Sequence, residues 1–364
     1  MRISELIGYL EQKVPLSQQE DYDNSGVQCG DVNDEISGIL VAIDVTEPVV
    51  DEAINRGCNL IITHHPPLFK PIKSITPKYY VHRALIKAIR YGITIYSSHT
   101  SLDNDNEGVN IYWAKKMGLE NISVIDPLER YFYKVITYIP YEYSDSLRTA
   151  LKDVGAGRQG DYEGTSFTSH GEGRFMPLRG AHPHCGTIGE WHVEKEDRIE
   201  FLVDKAHLSS TLATIHKVHP YEEPAIDILP TLFNDPHLGA GVIGDLPHEL
   251  TIAELLDKMR AIQPIIHVAH SRILKDPIKR VAYGGGSCIF LLRQAAKQGA
   301  DIYITGEAKY NDYYDAQEMV TLMTIGHYES ELLTKEILID IISEKRGNFA
   351  IYNATSCANP VHYI

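Results

Sequence analysis

Two adjacent histidines, His64 and His65, follow the apolar, β-branched run Leu60–Thr63 and precede Pro66 and Pro67. The run reads as a core strand, which the two prolines cannot continue. The imidazoles therefore fall at a strand's carboxyl end, where open α/β sheets place their ligand sites. Neighbouring side chains on a regular strand point to opposite faces, so both can serve one site only where the chain leaves strand geometry, as Pro-Pro predicts. Three more segments end predicted strands with polar groups: Ser97-Ser98-His99-Thr100-Ser101-Leu102-Asp103, Gly306-Glu307-Ala308-Lys309 and Gly326-His327-Tyr328-Glu329-Ser330-Glu331. His327 and Glu331 stand four apart, so a helix starting there puts imidazole and carboxylate on one face. His64, His65, Asp103, His327 and Glu331 make a mixed set suited to Zn²⁺, Fe²⁺, Mn²⁺ or Co²⁺, and the set alone does not choose among them. This is more than one tetrahedral site needs. A shared carboxylate such as Asp103 would bridge two ions ~3.5–4 Å apart and leave positions for a water acidified toward neutrality, the nucleophile of a hydrolase.

Each piece also has a plainer reading. A His-His pair is often structural, Asp103 in Leu-Asp-Asn-Asp-Asn suits an Asx-turn or helix cap, and His327 with Glu331 suits a surface pair. Their coincidence at successive predicted strand ends favours the metal reading. Gly284-Gly-Gly-Ser287 reads either as a phosphate cradle or as a tight strand-to-helix turn, without the Lys-Ser/Thr of a P-loop. Lys309 beside Glu307 would balance charge or meet an anionic substrate, or simply be solvated. His182-Pro-His184-Cys185 and His192, in a predicted flexible stretch, are expected to face solvent or another subunit.

The elements that position these groups alternate α and β over the first 125 residues. The spacing predicts helices over Ser4–Gln12 (capped at Ser4), Glu47–Arg56, Tyr79–Tyr91 and Gly108–Met117. It predicts strands over Ile36–Ile43, Asn59–Thr63 and Ile93–Ser97. After Pro127 the character changes. Tyr131–Ile139 reads as a strand, Ser144–Val154 as a helix, Gly155–Gly173 as a Gly/Ser/Thr/Asp-rich stretch, Ile199–Val203 as a strand and Ser209–His216 as a helix. The resulting β-α-β-β-α-β order suggests a ferredoxin-like insertion. From Leu238 the α/β rhythm resumes. Helices are expected over Thr251–Ala261, Ile289–Gln298 and Glu329–Arg346, and strands over Lys279–Tyr283, Ile302–Thr305 and Leu322–Gly326. Two related α/β lobes, 1–126 and 233–364, thus flank an α+β insertion, 127–232.

The 364 residues suffice for two or three domains, and 43% hydrophobic content is that of a globular chain. A formal charge of −15 argues against bulk binding of nucleic acid or anionic membrane. Five scattered cysteines without a CxxC point to a reduced compartment, and no stretch approaches a membrane span, so a cytoplasmic protein is expected.

Tyr22-Asp-Asn-Ser-Gly-Val-Gln-Cys-Gly30, Ile62-Thr-His-His-Pro66, Ser98-His-Thr-Ser-Leu-Asp-Asn104, Ile304-Thr-Gly-Glu-Ala-Lys-Tyr310 and Gly326-His-Tyr-Glu-Ser-Glu331 together resemble the Nif-three-like dinuclear-metal family. Its members are commonly named GTP cyclohydrolase I type 2 homologues. Gly186-Thr-Ile-Gly-Glu190 and His219-Pro-Tyr-Glu-Glu-Pro224 resemble the PII/CutA-like insertion of its longer bacterial members. The resemblance implies His64, His65, Asp103, His327 and Glu331 as ligands of two divalent ions, zinc as isolated, with His99 and Thr100 as pocket groups. It implies a toroidal homohexamer and a nucleotide-like or phosphorylated small substrate. The other class it leaves open is a non-catalytic metal-delivery or ligand-sensing scaffold. Tyr310-Asn311 departs from the family's pattern, in which a histidine often follows.

Overall fold

The computed structural model describes the chain apart from residues 160–161, 206, 265–266, 346 and 363–364 and the side chains of 130–131 and 233–235. The chain divides into two compact units, Met1–Leu128 with Asp235–Ile364, and Glu129–Asn234. Its strands are β1 (Gly26–Cys29), β2 (Gly38–Ala42), β3 (Leu60–Thr63), β4 (Thr94–Ser97), β5 (Glu120–Pro140), β6 (Ser166–Phe175), β7 (His192–Asp204), β8 (Ile226–Leu250), β9 (Ala269–His270), β10 (Ile278–Gly284), β11 (Ile302–Thr305), β12 (Thr321–Thr324) and β13 (Ala350–Asn353).

The larger unit is mixed α/β and holds two sheets. One has the order β1-β4-β3-β2-β13. Its last four strands run parallel and β1 closes the edge antiparallel. The other runs β5-β8-β10-β11-β12-β9, with β10, β11 and β12 parallel. Alternation along β2 explains the layering. Ile39 and Val41 face a core shared with Val281, Tyr283, Ile302 and Ile304 of the second sheet, while Leu40 and Ala42 face a separate cluster under Val49, Leu85 and Ala88. Helical residues Leu6, Leu10, Leu255 and Met259 fill the shared core. Trp113 stacks on Tyr283 with centroids 3.9 Å apart. The smaller unit has strand order β6-β7-β5-β8, with helices Ser144–Asp153 and Leu208–Val218 and its own core around Val135, Leu147, Phe201 and Ile215.

Within the Gly/Ser/Thr/Asp-rich stretch 155–173, β6 begins at Ser166 and pairs antiparallel along β7 from Ser166↔Phe201 to Phe175↔His192. Three expectations are corrected. The first helix, Ile3–Lys13, is capped at Arg2 rather than Ser4, with the Arg2 N–H donating to Glu5 at 2.8 Å. The stretch 289–298 is a 3-10 turn, Ile289–Leu291, followed by a helix, Leu292–Lys297. The last long helix is two, His327–Glu331 and Thr334–Glu344. That break lets Glu331 serve the strand ends while Ile337, Leu338 and Ile342 enter the core. Its expected end, Arg346, lies outside the described residues. By contrast, Thr251 caps its helix as expected, in a reciprocal pair with Glu254. Among the described residues no helix is long and apolar enough to cross a membrane.

Candidate metal centre

Parallel register sets the first half of the site. Ala42 lies opposite Thr63, and Thr63 opposite Ser97, so the residues after β2, β3 and β4 emerge side by side. The Ile43 carbonyl accepts the His65 N–H at 2.9 Å, and the Thr63 carbonyl accepts the Ser98 N–H at 2.9 Å. The chain bends at His64-His65, and the two rings come to lie 4.9 Å apart.

His64 is wholly buried, and its Nδ1 lies 2.9 Å from the Ser98 carbonyl. A carbonyl can only accept, which fixes the proton on Nδ1 and leaves the Nε2 lone pair facing inward. His65 is oriented in the same way, with Nδ1 2.8 Å from Asp44 Oδ1. The short helix His327–Glu331 closes the site from the second sheet. It follows Gly326, whose φ of +97° is one a side chain rarely adopts. Glu331 Oε2 lies 3.0 Å from His65 Nε2 and 3.2 Å from His327 Nε2. Its Oε1 lies 3.7 Å from His64 Nε2, and Asp103 Oδ1 is 3.6 Å from that same nitrogen.

Those separations test whether a metal fits. Donors 2.0–2.2 Å from one ion at the tetrahedral angle stand ~3.3–3.6 Å apart. His64 Nε2, Asp103 Oδ1 and Glu331 Oε2 are buried and make no hydrogen bond. With the ring protons committed to Nδ1, the His65 and Glu331 atoms that approach most closely are two acceptors face to face. Such a pair needs a proton or a cation between them. The residues fit a metal.

Electrostatics agrees. Burial opposes charge on His65, yet Asp44 and Glu331 outweigh it and push the ring up to about 11. His327 is buried too, and Glu331 pushes it up to about 9. Glu331 would be raised by burial, but His327, His64 and His65 hold its carboxyl well below the usual range. Burial pushes Asp103 up. The imidazoles thus carry the charge that a divalent cation would replace.

Around this core, His99 Nδ1 lies 2.7 Å from Asp23 Oδ1, and donor atoms of His64, His65 and His99 lie within 4.8 Å of one another. Asp23 is sealed from solvent. It also accepts from Thr100 N–H at 3.0 Å, Thr100 Oγ1 at 2.6 Å and Ser25 Oγ at 2.9 Å. Glu307 Oε1 is 3.4 Å from His327 Nδ1, while Lys309 is exposed at the start of the helix Tyr310–Ala316. In the glycine turn, Gly285 N–H donates to Asn110 Oδ1 at 3.0 Å and Gly286 N–H to Ser330 Oγ at 2.9 Å. With those amides committed, the tight-turn reading holds over the phosphate cradle. A Cβ on Gly286 would sit 2.1 Å from Glu331 Oε1, so only glycine leaves room for that carboxylate.

The structure brings His64, His65, Asp103, His327 and Glu331 together, with His99 beside them and Lys309 outside. Asp44, which orients His65, and Asp23, which orients His99, carried no assignment from sequence. Asp44 had a usable signal, since it lies two residues beyond the end of β2, the strand adjacent to β3. Asp23 lies in a loop where only tertiary structure reveals its partner.

Fold and pocket define a class: an α/β protein whose strand ends gather histidines and carboxylates fit to bind metal. The chain belongs to the Duf34/NIF3 family (NGG1p interacting factor 3), whose model matches residues 1–360. It is 35% identical over 367 residues to a Staphylococcus epidermidis protein named GTP cyclohydrolase 1 type 2 homolog, with both chains covered in full. A Staphylococcus aureus protein of the same name is 35% identical over 369 residues, again with full coverage of both. Among solved structures, a Bacillus cereus protein related to NIF3 is similar at 31% identity and TM-score 0.82, covering 100% of this chain and 99% of its own. A Staphylococcus aureus protein is similar at 33% identity and TM-score 0.79, with the same coverage.

Proposed function

We propose that the pocket is a dinuclear metal centre and that the protein is a metal-dependent hydrolase of a nucleotide-like or phosphorylated small molecule. One observation carries this reading: three buried donor atoms, His64 Nε2, Asp103 Oδ1 and Glu331 Oε2, have no hydrogen-bond partner, with His64 Nε2 3.6 Å from Asp103 Oδ1 and Glu331 Oε2 3.0 and 3.2 Å from the Nε2 atoms of His65 and His327. His64, His65, Asp103, His327 and Glu331 would hold two divalent ions, zinc as isolated. When bound, such ions supply Lewis acidity and a water acidified toward neutrality. The chain's own part is positional. Ser98 and Asp44 fix the two adjacent imidazoles, Asp23 fixes His99 at the pocket wall, and Lys309 at the exposed rim offers a charge to an anionic substrate. The relatives' name, GTP cyclohydrolase 1 type 2 homolog, supports the nucleotide class.

The unit 129–234 is proposed to be a ferredoxin-like insertion of the PII/CutA type, supported by its β-α-β-β-α-β element order and its β6-β7-β5-β8 sheet. A homohexamer working in the cytoplasm completes the proposal. The test is elemental analysis of the purified protein, repeated on Asp103→Ala and Glu331→Ala, followed by a nucleotide and phosphoester panel with Zn²⁺, Mn²⁺, Fe²⁺ or Co²⁺. About two ions per chain fewer in both variants than in the unaltered protein, lost together with turnover, is the expected result. No stoichiometric metal after reconstitution would overturn the centre. Stoichiometric metal without any turnover would overturn the hydrolase and leave a metal-binding scaffold.

A further inference from the structure

A second constellation of metal-ligating side chains lies in the smaller unit. His192 and Glu194 are alternate residues of β7, so they share one face of the strand. His192 Nε2 stands 3.0 Å from Glu194 Oε2. Cys185 arrives from the loop between β6 and β7, and one donor atom each of Cys185, His192 and Glu194 lies within 4.8 Å of the others. The loop is pressed onto the strand at Gly186. Its φ is +86°, and a Cβ there would meet the His192 Cβ and Cγ at 3.0 Å.

Among the described residues no lysine or arginine pairs with Glu194, whose other contacts are the Lys195 N–H at 3.1 Å and the Cys185 thiol. A thiol is a poor hydrogen-bond donor, and both His192 and Glu194 keep partial access to water. Thiolate, imidazole and carboxylate are instead the donors that Zn²⁺ and similar borderline-soft ions take. The set also adjoins a cleft of about 640 Å³ lined by Tyr138, Phe175, His184, Glu196, Arg198 and Tyr221, of which Tyr221 reaches the Cys185 thiol. We propose that Cys185, His192 and Glu194 form a metal site of their own, taking one Zn²⁺-class ion and keeping a coordination position for a small ligand held at this cleft.

The test is a titration of metal-stripped, full-length protein with Co²⁺ alone, read by near-ultraviolet absorption. A sulfur-to-Co²⁺ charge-transfer band that saturates at the intensity of one thiolate-bound ion per chain is expected, because none of the donors proposed for the larger pocket is a thiolate. The band should vanish in Cys185→Ser. Affinity should fall at least ~10-fold in His192→Ala, the lower end of what loss of a group merely supporting a ligand costs. In Asp103→Ala the band should persist, which separates failure of this site from failure of the other. Absence of the band overturns the proposal. So does a band that survives Cys185→Ser, which would place the thiolate elsewhere, for instance at Cys288. Should Cys185→Ser not fold, Cys185→Ala gives the same reading, with the affinity loss in His192→Ala as the second measure.

Discussion

His65 has two ring nitrogens with different tasks: Nδ1 is held 2.8 Å from Asp44 and Nε2 faces Glu331 at 3.0 Å. Removing Asp44 leaves every proposed ligand in place and frees one of them to rotate and change tautomer. Asp44→Ala is therefore expected to keep full metal occupancy at saturation while lowering affinity about 10–100-fold, measured by competition with a chromophoric chelator. Unchanged affinity would show that bending at His64-His65 alone orients the ring. This residue also marks what sequence reading reaches. His64, His65, Asp103, His327 and Glu331 stand out because unusual residue types cluster at apolar strand ends. Asp44 and Asp23 are ordinary aspartates in loops, and their importance rests on register and on a contact 76 positions away.

Elements obey the same division between local and distant causes. Strands β2, β3 and β4 and their helices follow from short-range pattern, because apolar β-branched runs alternate with amphipathic stretches. β6 did not, since its partner along β7 is what makes Ser166–Phe175 a strand and its own glycines argue against one. β13 is a comparable case at the edge of the first sheet, paired with β2 and followed by a segment anchored on one carboxylate. Glu52 accepts from Thr355 N–H at 3.0 Å, Ser356 N–H at 2.8 Å, Ser356 Oγ at 2.6 Å and Arg56 Nε at 2.9 Å. Burial opposes the charge, but the Ser356 and Arg56 bonds win and hold its pKa at about 2, below the ordinary 4.5. A depressed carboxyl contributes stability that is complete above its ordinary value and is lost as pH falls through the folded one. Glu52→Gln should thus cost about 1–2 kcal/mol in urea unfolding at pH 7. The gap from wild type should close as pH drops from about 4.5 toward about 2. A gap independent of pH would mean that the amide loses shape complementarity rather than charge.

On the scale of the whole molecule, the chain crosses between its two units at 128/129 and 234/235, and among the described residues no core cluster is shared by both. The larger unit cannot be divided in the same way. Its two sheets, although separated in sequence by the smaller unit, bury Ile39, Ile62, Tyr283 and Ile304 in a single cluster. Separate cores predict separate cooperative transitions, so calorimetry should resolve two. A ligand that binds one folded unit stabilises that unit alone, by about 2.7 kcal/mol at one hundred times its Kd. In Cys185→Ser, Zn²⁺ should therefore raise the transition of the larger unit and leave the smaller one where it was, and adding Asp103→Ala should abolish the rise. In the unmodified chain, Zn²⁺ should raise both. A single transition that moves as one in every variant would show that the long strands β5 and β8, which run through both units, couple them into one folding unit.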